Sequence, residues 1–197
     1  MNVTLRHAGM TREQFFNWVD AQDERYEFDG VGPVLMTGGN NNHSLINQNL
    51  YFALRSRLQG SGWLVLGPDA GLNTVENAVR YPDSMVTRAK YSGTDRVVPG
   101  VVVVFEVLGP TSGRMDRIIR LREYRAISTI LRYVILESAS AGATTFSRGD
   151  GAADWTAVPL LVEDTLDLPE LGVFIPVSEL YIDVDLPGND GDTAATV

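Results

Sequence analysis

The chain contains no cysteine. That excludes a disulfide framework, a thiolate metal site and a thiol nucleophile, and it fits a reducing, cytoplasmic setting. Histidine occurs only at His7 and His43, so a multi-histidine metal centre is excluded too. Lysine is almost missing: Lys90 is the single one among 16 basic residues. No apolar run approaches the roughly 18 residues of a membrane-spanning helix. The opening MNVTLRHAGM lacks the basic start and apolar stretch of a secretory signal. There is no glycine-rich phosphate loop, nucleophile elbow or zinc-ligand spacing. Basic residues are also absent from 150–197, which carries 11 acids, whereas 1–149 carries 14 acids and all 16 bases. The net charge of −9 therefore argues against a polyanion partner only for the C-terminal part.

What is present suits one globular domain over residues 1–186. Apolar residues make up 44% of the chain and charged residues 21%, enough for a sizeable core. The Gly, Asp, Asn, Ala and Thr of 187–197 predict a flexible tail. Thr11 and Gln14 have capping-box spacing before Phe15, Phe16 and Val19, which predicts a helix over 11–20. RYEFDGVGPVLMT at 25–37 predicts two short strands around Asp29-Gly30. In 43–58, Ile46, Leu50, Ala53, Leu54 and Arg57 share one side of a helix capped from Asn40–Asn42. Strands are expected at 63–66, 79–87, 101–108 and 132–137. VVVVFEVL at 101–108 is apolar on both faces, the pattern of a central strand covered on each side. A helix over 112–126, starting at Ser112, should turn Ile118 and Leu121 to the core, with Ile119 and Tyr124 as further candidates. Segments 144–148, 155–159 and 165–169 suggest a small antiparallel extension, and 176–181 a short closing helix.

Two acids stand out. Asp83 follows Pro82 and Glu106 interrupts VVVVFEVL, each inside a strand-like apolar run. Burying two carboxylates is costly unless they are paired or hold a cation. Magnesium binds through one or two carboxylates and keeps several waters. The plainer alternatives are a turn or cap role for Asp83, and a strand-end position or an arginine partner for Glu106. The six arginines between 114 and 132 are either a solvated helix face or a phosphate-facing surface. Glu27 could add a carboxylate to the site, or pair with Arg25 or another arginine. His43 could contact phosphate, or serve as a local hydrogen-bonding group at a helix start. Lys90 falls in a loop beyond the Asp83 strand, where solvent exposure is expected.

The string YPD…VVVVFEVLGPTS…MDR, followed by Arg120 and Arg122-Glu123-Tyr124, resembles the Uma-type restriction endonuclease family of the PD-(D/E)XK nuclease superfamily. TREQFFNWVDAQDERYEFDG, NNNHSLINQNLYFALRSRL, YRAISTILRYVILES and LPELGVFIPVSELY resemble the family's other segments in order, over roughly residues 9–182. The resemblance implies an α+β or α/β fold: a restriction-endonuclease-like mixed β-sheet flanked by helices. It further implies Mg2+ or Mn2+ on Asp83 and Glu106, DNA as substrate, and a homodimer. It matches Glu27 and His43 to residues of the family's first strand and first long helix. It places the catalytic lysine on the next helix, in a D-x-x-x-K-L-x-x-Y pattern. Asp116 to Tyr124 fit that pattern with Arg120 in the lysine slot. Arginine does not deprotonate, although it can stabilise a pentavalent phosphate. The two expectations are thus an endonuclease impaired by Arg120, and a nuclease fold kept for binding or structure without turnover.

Overall fold

The computed structural model describes residues 9–109, 114–149 and 155–186. Helix α1 (Arg12–Val19) opens with a reciprocal capping box: the Thr11 amide donates to the Gln14 side chain, and the Gln14 amide to the Thr11 hydroxyl. Its Phe15 is buried against Phe28 of strand β1 (Tyr26–Phe28), ring centroids 5.1 Å apart. β1 pairs antiparallel with β2 (Pro33–Leu35). Asp29 Oδ1 closes the turn by accepting from the Val31 and Gly32 amides, and Gly30 takes a φ of 93° that favours glycine. Helix α2 (Asn41–Leu58) is capped by Asn40, whose side chain accepts from the His43 amide. Its stripe of Ile46, Leu50, Ala53, Leu54 and Leu58 is buried. Arg57 lies at the edge of that stripe and pairs with Glu179.

The run 79–87 is two strands, not the one expected. β4 (Leu72–Asn73) and β5 (Val79–Arg80) join the hairpin in a sheet of order β2-β1-β5-β4. β6 (Ser84–Thr87) belongs to another sheet. Pro82 lies between them; it has no amide to donate, so a ladder cannot run through it, and the chain changes sheets there. The second sheet adds β3 (Leu64–Leu66), β7 (Val101–Leu108), β8 (Arg132–Glu137), β9 (Gly142–Arg148) and β10 (Trp155–Leu161), in the order β10-β9-β8-β7-β6-β3. Among the described residues its one parallel pair is β7 with β8, whose crossover includes helix α3 (Arg114–Ala126). The mixed sheet flanked by helices is thus as expected.

The C-terminal segments form the expected antiparallel extension, in two parts. β9 and β10 continue the main sheet, because β8 is buried and needs hydrogen-bond partners on both edges. Only β11 (Thr165–Leu168) and β12 (Val173–Pro176) form a separate two-stranded ribbon. Helix α4 (Val177–Leu180) follows it. The sheet's two faces carry separate cores. Val103, Phe105 and Val107 pack with α2, β11, β12 and α4. Val104 and Leu108 pack with Tyr124, Tyr133 and Ile135 beneath α3. On this second face, between Val104 and Leu108, the alternation of β7 places Glu106.

Helix α3 corrects a second expectation. Ile118 and Ile119 are 51% and 40% exposed, while Glu123 and Tyr124 are buried and Asp116 and Arg120 line a cavity. Leu121 and Tyr124 pack on the core as expected, and the rest of the inward face is set by charge pairing with that cavity rather than by the two isoleucines. The expected start at Ser112, and the tail 187–197, lie outside the described residues. Among those residues, no helix is long and apolar enough to cross a membrane.

Candidate active site

The β6–β7 register pairs Ser84 with Phe105. Continued by one residue, it sets Asp83 opposite Glu106 on the same face of the sheet. Asp83 is not within a strand, as expected from sequence, but at the joint between the two sheets, just before β6. Its Oδ2 accepts a 2.7 Å hydrogen bond from the Val107 amide and lies 3.3 Å from His43 Nε2. Gly39 makes room for that imidazole, since a Cβ there would fall 2.4 Å from the ring. Glu106 is 5% exposed, and its Oε1 accepts from Tyr124 Oη at 2.8 Å and Arg120 Nη1 at 3.0 Å. Among the described residues, no hydrogen bond engages Asp83 Oδ1 or Glu106 Oε2. Both carboxylates line one cavity of about 600 Å³, with Glu27, His43, Asp116 and Arg120.

Arg120 reaches three carboxylates. Nε bonds Asp116 Oδ2 at 3.1 Å, Nη1 bonds Glu106 and Glu27, and Nη2 bonds Glu27 Oε2 at 3.1 Å. Glu27 is buried and fully engaged, accepting also from Arg80 and the Tyr81 amide. Glu27 thus pairs with arginines, Arg80 and Arg120 rather than Arg25, and it also lines the cavity that holds Asp83 and Glu106. Arg80 in turn makes a two-point bridge to buried Glu123, at 2.8 and 2.6 Å, and Glu123 also accepts from Thr74. Sequence reasoning passed over Arg80 and Glu123. Their signals were modest: Glu123 lies seven residues after Asp116 on the α3 face that carries Arg120, and Arg80 alternates with apolar Val79.

The electrostatics follow from burial. Glu106 is lifted to about 7 by burial and by the nearby negative Asp83 and Glu27, against the lowering influence of Arg120 and Tyr124. The His43 imidazole is raised by its hydrogen bond to Asp83, which outweighs its burial. Burial opposes the charge on Arg120, but Glu106, Tyr124, Glu27 and Asp116 more than offset it, so this guanidinium stays charged. Of the six arginines, three are committed to carboxylates: Arg117 bridges Glu137, Arg132 bridges Glu170, and Arg120 turns inward to Glu106. Lys90 is exposed in the loop after β6, as expected.

The chain belongs to the Uma2 family, described as "Putative restriction endonuclease", whose family profile matches residues 12–178. It is 27% identical over 177 residues to the uncharacterized protein slr1290 of Synechocystis sp. (strain ATCC 27184 / PCC 6803 / Kazusa), covering 87% of this chain and 91% of that one. Its fold is similar to the crystal structure of "a putative nuclease belonging to DUF820" from Anabaena variabilis ATCC 29413. The TM-score is 0.67 at 10% identity, over 88% of this chain and 98% of the other.

Proposed function

We propose that this protein is a magnesium- or manganese-dependent endonuclease acting on DNA, with turnover limited by Arg120. One observation carries the reading: Asp83 and Glu106 face one cavity, each with one oxygen unengaged by the described residues. Two carboxylate oxygens plus water suit a hard, oxygen-preferring cation. Among the described residues there is no cluster of three or more His, Cys, Asp or Glu for a metal, so the ligand set is these two acids and solvent. When bound, the cation supplies Lewis-acid polarisation of the phosphate and a more acidic attacking water. The protein's part is to hold the ligands still. The Val107 amide fixes Asp83, while Tyr124 and Arg120 fix Glu106. His43 lies on Asp83 at the cavity wall, where its imidazole would be placed to contact a substrate phosphate.

Arg120 supports a slower enzyme than a lysine would give. Its guanidinium already bonds Glu27, Glu106 and Asp116, so it orders the carboxylates more than it faces the phosphate. The same pairing favours a second reading, a nuclease fold that binds DNA without turnover. Nicking of supercoiled plasmid with Mg2+ or Mn2+ separates the two. Cutting that Asp83→Ala abolishes supports the enzyme, and metal binding without cutting in wild type and Arg120→Lys supports the binding protein. A duplex substrate favours two copies related by a two-fold axis, and we propose a homodimer.

A further inference from the structure

We infer that the outer face of α2 is a stacking shelf for a base of the nucleic-acid strand, beside the carboxylate pair; this rests on the nuclease reading above. Asn47, Gln48, Tyr51, Phe52 and Arg55 share one helical face at spacings of three, four and eight residues. With Gly67, Pro68 and Asp83 they line a second cavity of about 560 Å³. Asp83 therefore belongs to both cavities, so a ligand here adjoins the proposed metal ligand. Phe52 is 72% exposed and Tyr51 41%. Two large rings left in solvent on one helix face have no role in either core.

The chemistry around the rings selects the occupant. No hydrogen bond or ion pair among the described residues engages Arg55, in contrast to Arg57 on the opposite side of the helix, which is paired with Glu179. Aromatic rings, an uncommitted guanidinium and side-chain amides together are what a single strand or an extruded base needs: stacking, phosphate attraction and edge contacts. Tyrosine, phenylalanine and arginine also suit a contact between copies; what favours a nucleic-acid strand is that Asp83 lines both this cavity and the proposed metal site.

The test is fluorescence anisotropy in calcium with three labelled DNAs: an oligothymidylate strand, the same strand with abasic sites, and a duplex. Wild type, Phe52→Leu and Phe52→Tyr are compared, with magnesium titration calorimetry and sedimentation on each. Phe52 is exposed, so these variants should fold. The expected result is that wild type prefers the intact strand to the abasic one. Phe52→Leu should lose roughly tenfold on the intact strand alone, the scale of one stacked base, and Phe52→Tyr should restore it. If Phe52→Leu binds both strands as wild type does while magnesium binding persists, the shelf is refuted and the nuclease reading survives. A Phe52→Leu change in sedimentation without a change in strand binding makes the face a contact between copies and also refutes it. If no DNA binds and magnesium gives no heat, both readings fall.

Discussion

Replacing Glu106 with glutamine should stabilise the metal-free protein at alkaline pH and destroy its metal binding. Glu106 is a buried acid whose carboxyl is raised from 4.5 to about 7. An acid with a raised folded value binds its proton more tightly when folded. Its burial therefore weighs against folding increasingly as pH rises from 4.5, and fully above about 7. For that displacement, linkage gives a loss of about 2.5 kcal/mol between roughly pH 5 and pH 8. In Glu106→Gln this loss is absent, because the amide does not titrate while its oxygen can still accept from Tyr124 and Arg120. His43 also lowers stability as pH rises: its raised value stabilises fully below its ordinary 6.5, and that contribution is lost as pH climbs through the folded value. It does so in both proteins, so it largely cancels in the difference. The assay is urea unfolding of both proteins in EDTA across that range. The variant should gain on wild type by about 2.5 kcal/mol from acid to alkaline conditions, which corresponds to about 5–10 °C in Tm for a domain of this size. Parallel profiles for the two proteins would refute the reasoning, because they would mean that Glu106 is charged throughout and that Arg120 outweighs burial.

Three other outcomes are expected. Asp83→Ala should abolish magnesium heats in calorimetry and let the His43 imidazole fall back from its raised value, followed by NMR titration of its ring. Arg120→Lys should cut supercoiled plasmid faster than wild type, since a compact ammonium replaces a guanidinium that is tied to three carboxylates. The same change should cost about 2 kcal/mol of stability by leaving Asp116 and part of Glu27 without a donor, measured by urea unfolding; slower cutting by the lysine variant would make arginine a working replacement. Light scattering at micromolar concentration should give the mass of a dimer.

The sequence by itself determined the elements whose cause is local. The capping box at Thr11, the Asp29-Gly30 turn, the Asn40 cap and the doubly apolar β7 depend on neighbours a few residues apart, and each formed as the pattern demands. It also singled out Asp83 and Glu106, because a charge in an apolar run is conspicuous without coordinates, whereas Arg120 stood out only through the family resemblance. What it could not decide is set by contacts distant along the chain. Whether Pro82 ends one sheet or interrupts one strand depends on which partners wait on either side. The inward face of α3 is another such case. Periodicity favoured Ile118, but Glu27 and Glu106 on other strands draw Arg120 inward, and the exposed isoleucines are the consequence. Glu27 and Arg120 are 93 residues apart in sequence, and only the packing of α3 between two sheets makes them one charge network.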